Sequence, residues 1–109
     1  MGSNVRHPAI DEMVHRIVDQ FHPESVILYG SHARGTAGPD SDVDLLVGMS
    51  IQGSRRKQAT AIDLALADRE LSLDLIVVTP EELERDRDRV GTIVRPATRE
   101  GQVLYARPR

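Results

Sequence analysis

The stretch LYGSHARGTAGPDSDVDLLV, residues 28–47, sets an apolar run, a glycine-rich turn and two aspartates one residue apart in immediate succession. Its first residues end SVILY (25–29), β-branched and aromatic up to Gly30, which predicts a buried strand. Gly35, Gly38 and Pro39 then predict a turn, with room for one turn of helix between Ser31 and Pro39. Residues 41–49 (SDVDLLVGM) alternate: Val43, Leu45 and Val47 face one way, Asp42, Asp44 and Leu46 the other. Two carboxylates side by side raise each other's pKa, and Asp is among the poorest strand formers, so the pair is costly without a counterion. A hard cation reverses the sign, because Mg²⁺ takes oxygen ligands and commonly uses one or two carboxylates, with waters and substrate phosphates completing its shell. The pair points to a metal site, with a solvent-exposed edge face as the plainer alternative.

On either side of this stretch the periodicity changes. In HPAIDEMVHRIVDQFHP (7–23), Ile10, Met13, Val14, Ile17, Val18 and Phe21 recur at three- and four-residue steps, which predicts an amphipathic helix with Pro8 in its first turn and Pro23 after its end. Ala59, Ile62, Ala65 and Leu66 predict a second helix from Arg55 to about Leu71. LSLDLIVVT (71–79) predicts a third strand whose one charge is Asp74. TPEELERDRDR (79–89) opens with a threonine cap, proline at the first helical position and glutamate at the third, a capping box, and its alternating charges predict a solvated helix. In the tail, Val90, Ile93, Val94 and Ala97 share a helical face interrupted by Pro96, and Gly101 precedes a short apolar VLYA. The order of elements predicts a small α/β (α+β) fold with a mixed sheet of three to four strands.

Composition sets limits on function. A chain of 109 residues is the size of one domain, so residues 1–109 are expected to form a single unit. With 14 Lys and Arg against 17 Asp and Glu, the net charge of -3 gives no electrostatic footprint for nucleic acid as a direct ligand. The absence of cysteine removes disulfides and thiolate metal sites. MGSNVRHP (1–8) has no apolar leader core and no run approaches the roughly 20 apolar residues of a membrane span, so a cytoplasmic location without membrane contact is expected.

Asp74 is a third carboxylate in an apolar strand. If that strand neighbours the Asp42–Asp44 strand, three carboxylates converge and can hold two metal ions at the roughly 3.5–4 Å spacing of two-metal phosphoryl-transfer sites; pairing with an arginine is the alternative for Asp74 taken alone. Gly30 and Ser31 sit where a strand end opens a turn, glycine letting amides approach a phosphate and the hydroxyl adding a donor. Neither GxxxxGK[ST] nor GxGxxG is present, which excludes the P-loop and dinucleotide-binding readings. Arg34 suits either a surface ion pair or a phosphate contact. Asp40 reads as a turn residue, Arg55, Arg56 and Lys57 as a solvated helix start, and Tyr29 and Tyr105 as packing. The four histidines show no ligand spacing; His32 nears the phosphate side of this segment by position alone.

Gly30-Ser31, Arg34-Gly35 and Ser41-Asp42-Val43-Asp44-Leu45, with Asp74 on a later strand, resemble the signature of the polymerase-beta-like nucleotidyltransferases: Gly-Ser, ten residues, Asp-x-Asp and a later third carboxylate. The full run GSHARGTAGPDSDVDLLV is most similar to that of the minimal nucleotidyltransferases, or MNT domains, as are the order of elements and the ending REGQVLYA (99–106). The resemblance implies the nucleotidyltransferase fold, with Asp42, Asp44 and Asp74 as catalytic metal ligands for two Mg²⁺ ions. It implies Gly30 and Ser31 as the loop holding the β- and γ-phosphates of ATP, with Arg34 and Ser41 as further nucleotide-site positions. It further implies transfer of AMP from ATP, with release of pyrophosphate, to a hydroxyl. That hydroxyl is expected on a tyrosine of a partner HEPN ribonuclease toxin, the chain acting as antitoxin in a homo- or hetero-oligomer. Two alternatives stand beside this: a non-catalytic module that masks its partner, and a small-molecule nucleotidyltransferase whose acceptor-binding subunit is supplied in trans.

Overall fold

Nine elements follow one another in the computed structural model, which describes residues 7–108: α1 (Pro8–Phe21), β1 (Ser25–Tyr29), α2 (Gly30–Arg34), β2 (Val43–Gly48), α3 (Arg55–Ala65), β3 (Leu73–Val78), α4 (Pro80–Asp86), α5 (Val94–Glu100) and β4 (Gln102–Ala106). The sheet order is β3-β2-β1-β4, with β1 antiparallel to both neighbours and β2 parallel to β3. The order of elements predicts a mixed sheet of three to four strands, and the sheet is mixed with four. A parallel pair needs a long crossover, and α3 supplies it.

The period-two alternation of the strands sorts residues between two faces. Val43, Leu45 and Val47 of β2 join Val26 and Leu28 of β1 in a core closed by Ile10, Met13, Val14 and Ile17 of α1 and Ile62 and Leu66 of α3. Leu46, Ile27 and Val78 point the other way and are covered by Val94 and Ala97 of α5, with Leu83 of α4 packed alongside. The second cover is smaller. It leaves the end of that face where β1 stops and β2 and β3 begin, and Asp44 and Asp74 lie there.

Four expectations need correction. The strand expected from residue 41 starts at Val43, whose amide donates to Ser72 O at 2.8 Å, while the Ser41 amide turns back to Gly38 O at 3.2 Å. The helix expected to run to Leu71 ends at Ala65, where the Arg69 guanidinium caps the carbonyls of Leu66 (3.0 Å) and Asp63 (3.3 Å). The capping box of α4 is present, with Glu82 N–H on Thr79 Oγ1 (3.1 Å) and Thr79 N–H on Glu82 Oε1 (2.9 Å). That helix is not wholly solvated, however: Asp86 is buried and paired with Arg85. In the tail, Val90 and Ile93 are 79% and 42% exposed, and α5 begins only at Val94. Pro96 then falls in the first turn of α5, where its missing N–H would have had no helical partner.

Arg55 ties the start of α3 to α4 by donating to Val77 O (2.8 Å) and, bidentately, to Glu82 (2.7 and 2.8 Å). Among the described residues no helix is long and apolar enough to cross a membrane. The leader reading of residues 1–8 lies largely outside the described residues.

Gly101 joins α5 to β4 where backbones nearly touch: a Cβ there would stand 2.2 Å from Ala97 O and 2.7 Å from Leu28 O. Gly101→Ala is therefore expected to lower stability by about 1–3 kcal/mol, the usual cost of overpacking against unyielding atoms. Urea denaturation measures this, and an unchanged midpoint would contradict the packing described.

Candidate active site

One lateral row crosses three adjacent strands. Tyr29 of β1 is paired with Asp44 of β2, and Asp44 with Asp74 of β3. Directly opposed residues point to the same face, and neighbouring strands lie about 4.8 Å apart, so the phenol and two carboxylates stand side by side. Asp44 is half-buried and Asp74 exposed. Gly30 closes the row from above. Its φ is +74°, and a Cβ on it would lie 2.1 Å from Asp44 Oδ2, so the chain needs glycine both for the turn and for room beside the carboxylate.

α2 continues from Gly30 with Ser31, His32, Ala33 and Arg34, and ends at Gly35 in a left-handed cap. Gln102 Nε2 holds it to β4 by donating to Ala33 O at 2.8 Å. Arg34 is exposed and has no ion-pair partner among the described residues, so the surface ion pair that was its alternative reading is not formed. Its charge favours the ionised form of Asp44. Ser41 lies just before β2, where its hydroxyl accepts the Gly38 amide at 2.8 Å, and its carbonyl faces His32 Nε2 at 3.3 Å. Asp42 follows, exposed and one residue ahead of the ladder.

The charges in this group oppose one another. Burial raises the pKa of Asp44 above the carboxylate value of 3.8, and the charges of Asp74 and Asp42 raise it further, while His32 and Arg34 pull it down. The Tyr29 phenol is pushed up to about 12 by burial and by the same two carboxylates, Asp44 and Asp74, and so stays protonated at neutral pH. The charges of Asp42 and Asp74 thus both bear on Asp44, and Asp74 is in direct register with it.

Among the described residues, no three Asp, Glu or His side chains close on one point as a ready cage. Mg²⁺ is usually held otherwise, by one or two carboxylates with the substrate's own phosphates completing the shell. An all-oxygen donor set whose Asp44 is destabilised as an anion fits such an ion. The cleft of about 310 Å³ between α1 and the α3–β3 turn, lined by Met13, Arg16, Leu66 and Asp68, contains none of these residues. The carboxylate row lies on an open face.

A family model described as the nucleotidyltransferase domain matches residues 10–102, from α1 through the start of β4. The chain belongs to the nucleotidyltransferase domain family. No curated protein is a significant match. Among solved structures, a protein from Sulfolobus solfataricus taken to be a nucleotidyltransferase superposes with a TM-score of 0.62 at 22% identity, covering 92% of this chain and 79% of that one. A toxin–antitoxin structure with AMP-PNP is similar with a TM-score of 0.55 at 21% identity, over 92% of this chain and 73% of that one. A tri-AMPylated HEPN toxin of Shewanella oneidensis in complex with its MNT antitoxin gives 0.52 at 16% identity, over 92% and 71%. At these identities the likeness is one of fold, and it agrees with the nucleotidyltransferase fold expected from sequence.

Two residues beside the carboxylates make contacts that the sequence does not specify. The sequence assigns Tyr29 to packing. It does pack against the second core, yet it also stands beside Asp44. Its place next to Gly30, one strand from the Asp-x-Asp motif, was the available signal. His32 stood near the motif by position only, and the structure brings it onto Ser41 O.

Gly30→Ala is expected to leave the fold intact at a cost of roughly 1 kcal/mol for the positive φ, while displacing Asp44 Oδ2 and weakening Mn²⁺ binding. Urea denaturation paired with calorimetric Mn²⁺ titration checks both halves; wild-type Mn²⁺ affinity in the variant would show that Gly30 does not shape the site.

Proposed function

We propose that residues 1–109 form one minimal nucleotidyltransferase domain of the cytoplasm that transfers AMP from ATP to a tyrosine hydroxyl of a HEPN-type partner, acting as its antitoxin. The observation that carries this reading is the row of Asp44 and Asp74 in direct register on adjacent strands, with Gly30 pressed against Asp44. Similar folds occur in a toxin–antitoxin structure with AMP-PNP and in a complex whose HEPN toxin is AMPylated. Both support a nucleotide donor and a protein acceptor.

In this reading Asp42, Asp44 and Asp74 would hold Mg²⁺, which when bound supplies Lewis-acid polarisation of the phosphate and charge neutralisation for the departing pyrophosphate. The remaining steps belong to this chain's own groups. Gly30 and Ser31 offer backbone and hydroxyl donors to the β- and γ-phosphates, and Ser41 anchors the turn that leads into Asp42. Arg34, exposed and without a carboxylate partner, supplies a fork of donors to the same phosphates. The acceptor hydroxyl oxygen forms the new bond to the α-phosphorus, the bond to the bridging oxygen breaks, and the hydroxyl proton passes to Asp74. Because Asp42 and Asp74 are exposed on an open face, a side chain carried by another protein can reach them.

Incubation with α-labelled ATP, Mg²⁺ and the product of the adjacent reading frame should label that product on tyrosine. Asp42→Ala with Asp44→Ala should reduce labelling by more than the roughly 10–100-fold typical of losing an outer-shell partner of a metal. If the double variant still neutralises the partner fully, the enzymatic antitoxin role fails and the masking module takes its place.

A further inference from the structure

The Asp42 carboxylate lacks the support its neighbours have. Asp44 and Asp74 are clamped in the ladder, whereas hydrogen-bonded pairing of β2 with the β3 strand begins only after Asp42, at the Val43 amide. Asp42 is held from one side by Val43, buried and bonded to Ser72 O at 2.8 Å, and from the other by Ser41. The Ser41 amide donates to Gly38 O at 3.2 Å and its hydroxyl accepts the Gly38 amide at 2.8 Å, so both of those bonds stay within the turn 38–41 and move with it. The third bond is different. Ser41 O faces His32 Nε2 at 3.3 Å, and among the described residues this is the hydrogen bond that joins the turn to α2.

α2 is the fixed partner of that pair. Ala33 O accepts from Gln102 of β4 at 2.8 Å, Ser31 O accepts the Thr36 amide at 3.0 Å, and Gly30 continues directly from β1. The link therefore ties Asp42 to the same short segment that carries Gly30 and Ser31. A carbonyl only accepts, so Nε2 must carry the proton.

We propose that His32 is a positioning residue: by donating to Ser41 O it holds the Asp42 carboxylate at a set distance from Gly30 and Ser31, and thereby sets the affinity of the site for a divalent cation. The inference rests on the metal site of the proposed function and goes beyond it by naming the group that builds one ligand's position. His32 touches neither metal nor nucleotide in this role. A ligand held from the Val43 side alone, with its turn no longer joined to α2, loses affinity as it would on losing an outer-shell partner, which costs roughly 10–100-fold.

The test is Mn²⁺ binding by the full chain without nucleotide or partner, followed calorimetrically, with melting temperatures measured alongside. His32→Ala and His32→Phe both remove the donor, the second while keeping a ring in place, and each should weaken Mn²⁺ binding about tenfold or more. His32→Gln places an amide nitrogen where the imidazole Nε2 sits and should restore affinity to within about threefold, which a loss of packing alone would not allow. Wild-type affinity in the Phe and Ala variants overturns the proposal, as does a Gln variant no better than Phe. Because nucleotide transfer is not the readout, a wild-type protein that follows this pattern yet labels no partner refutes the proposed reaction and leaves the role of His32 standing.

Discussion

Electrostatic repulsion between carboxylates on neighbouring strands is the constraint around which this molecule is arranged. Parallel pairing of β2 with β3 sets Asp44 against Asp74, and Asp42 approaches from the turn just ahead. Folding gains nothing from this, since burial and both neighbours disfavour ionised Asp44. The chain tolerates it because the rest of β2 is strongly stabilised: Val43, Leu45, Leu46 and Val47 are fully buried, one face under α1 and α3, the other under α5. Each such side chain contributes roughly 1.5–3 kcal/mol on burial. A few well-packed strand residues are enough to hold a charge pair that on its own would splay the strands.

The unequal cover of the two faces turns that repulsion into a site. α1 and α3 cover one face, whereas α5 covers only the middle of the other, and Gly101 brings α5 and β4 against the backbone of β1. At the open end of that face stands α2, directly continuous with β1 and beginning with Gly30 and Ser31. Gly30 links the two parts, since its missing side chain is the space that Asp44 Oδ2 occupies.

Much of this was legible in the sequence, because the signals were local. Period-two alternation located β2 and sorted its faces, the 3.6-residue period located α1, and the Thr79–Glu82 capping box located α4. The motif spacing by itself singles out Gly30, Ser31, Asp42, Asp44 and Asp74. Three features were not legible, each because it depends on contacts between distant segments. The register that puts Asp74 opposite Asp44 pairs strands on either side of the α3 crossover, which local periodicity cannot specify. Asp42 falls outside the ladder because the Val43 amide, not that of Ser41, meets Ser72 O. Tyr29 looks like any aromatic strand residue until its cross-strand partner is known to be an aspartate.

The central claim is that the fold bears this charge for a cation. Its most direct measurement is the urea midpoint of the wild type and of Asp44→Asn, each with and without Mg²⁺. Because the folded protein raises the pKa of Asp44, ionising it costs stability, and that cost grows as pH rises through the raised value. At neutral pH without metal, Asp44→Asn should therefore be the more stable protein. That advantage should vanish below the ordinary carboxylate value of 3.8. Added Mg²⁺ should stabilise the wild type and leave the variant unmoved. A variant less stable than wild type without metal, or an equal Mg²⁺ shift in both, would contradict the claim.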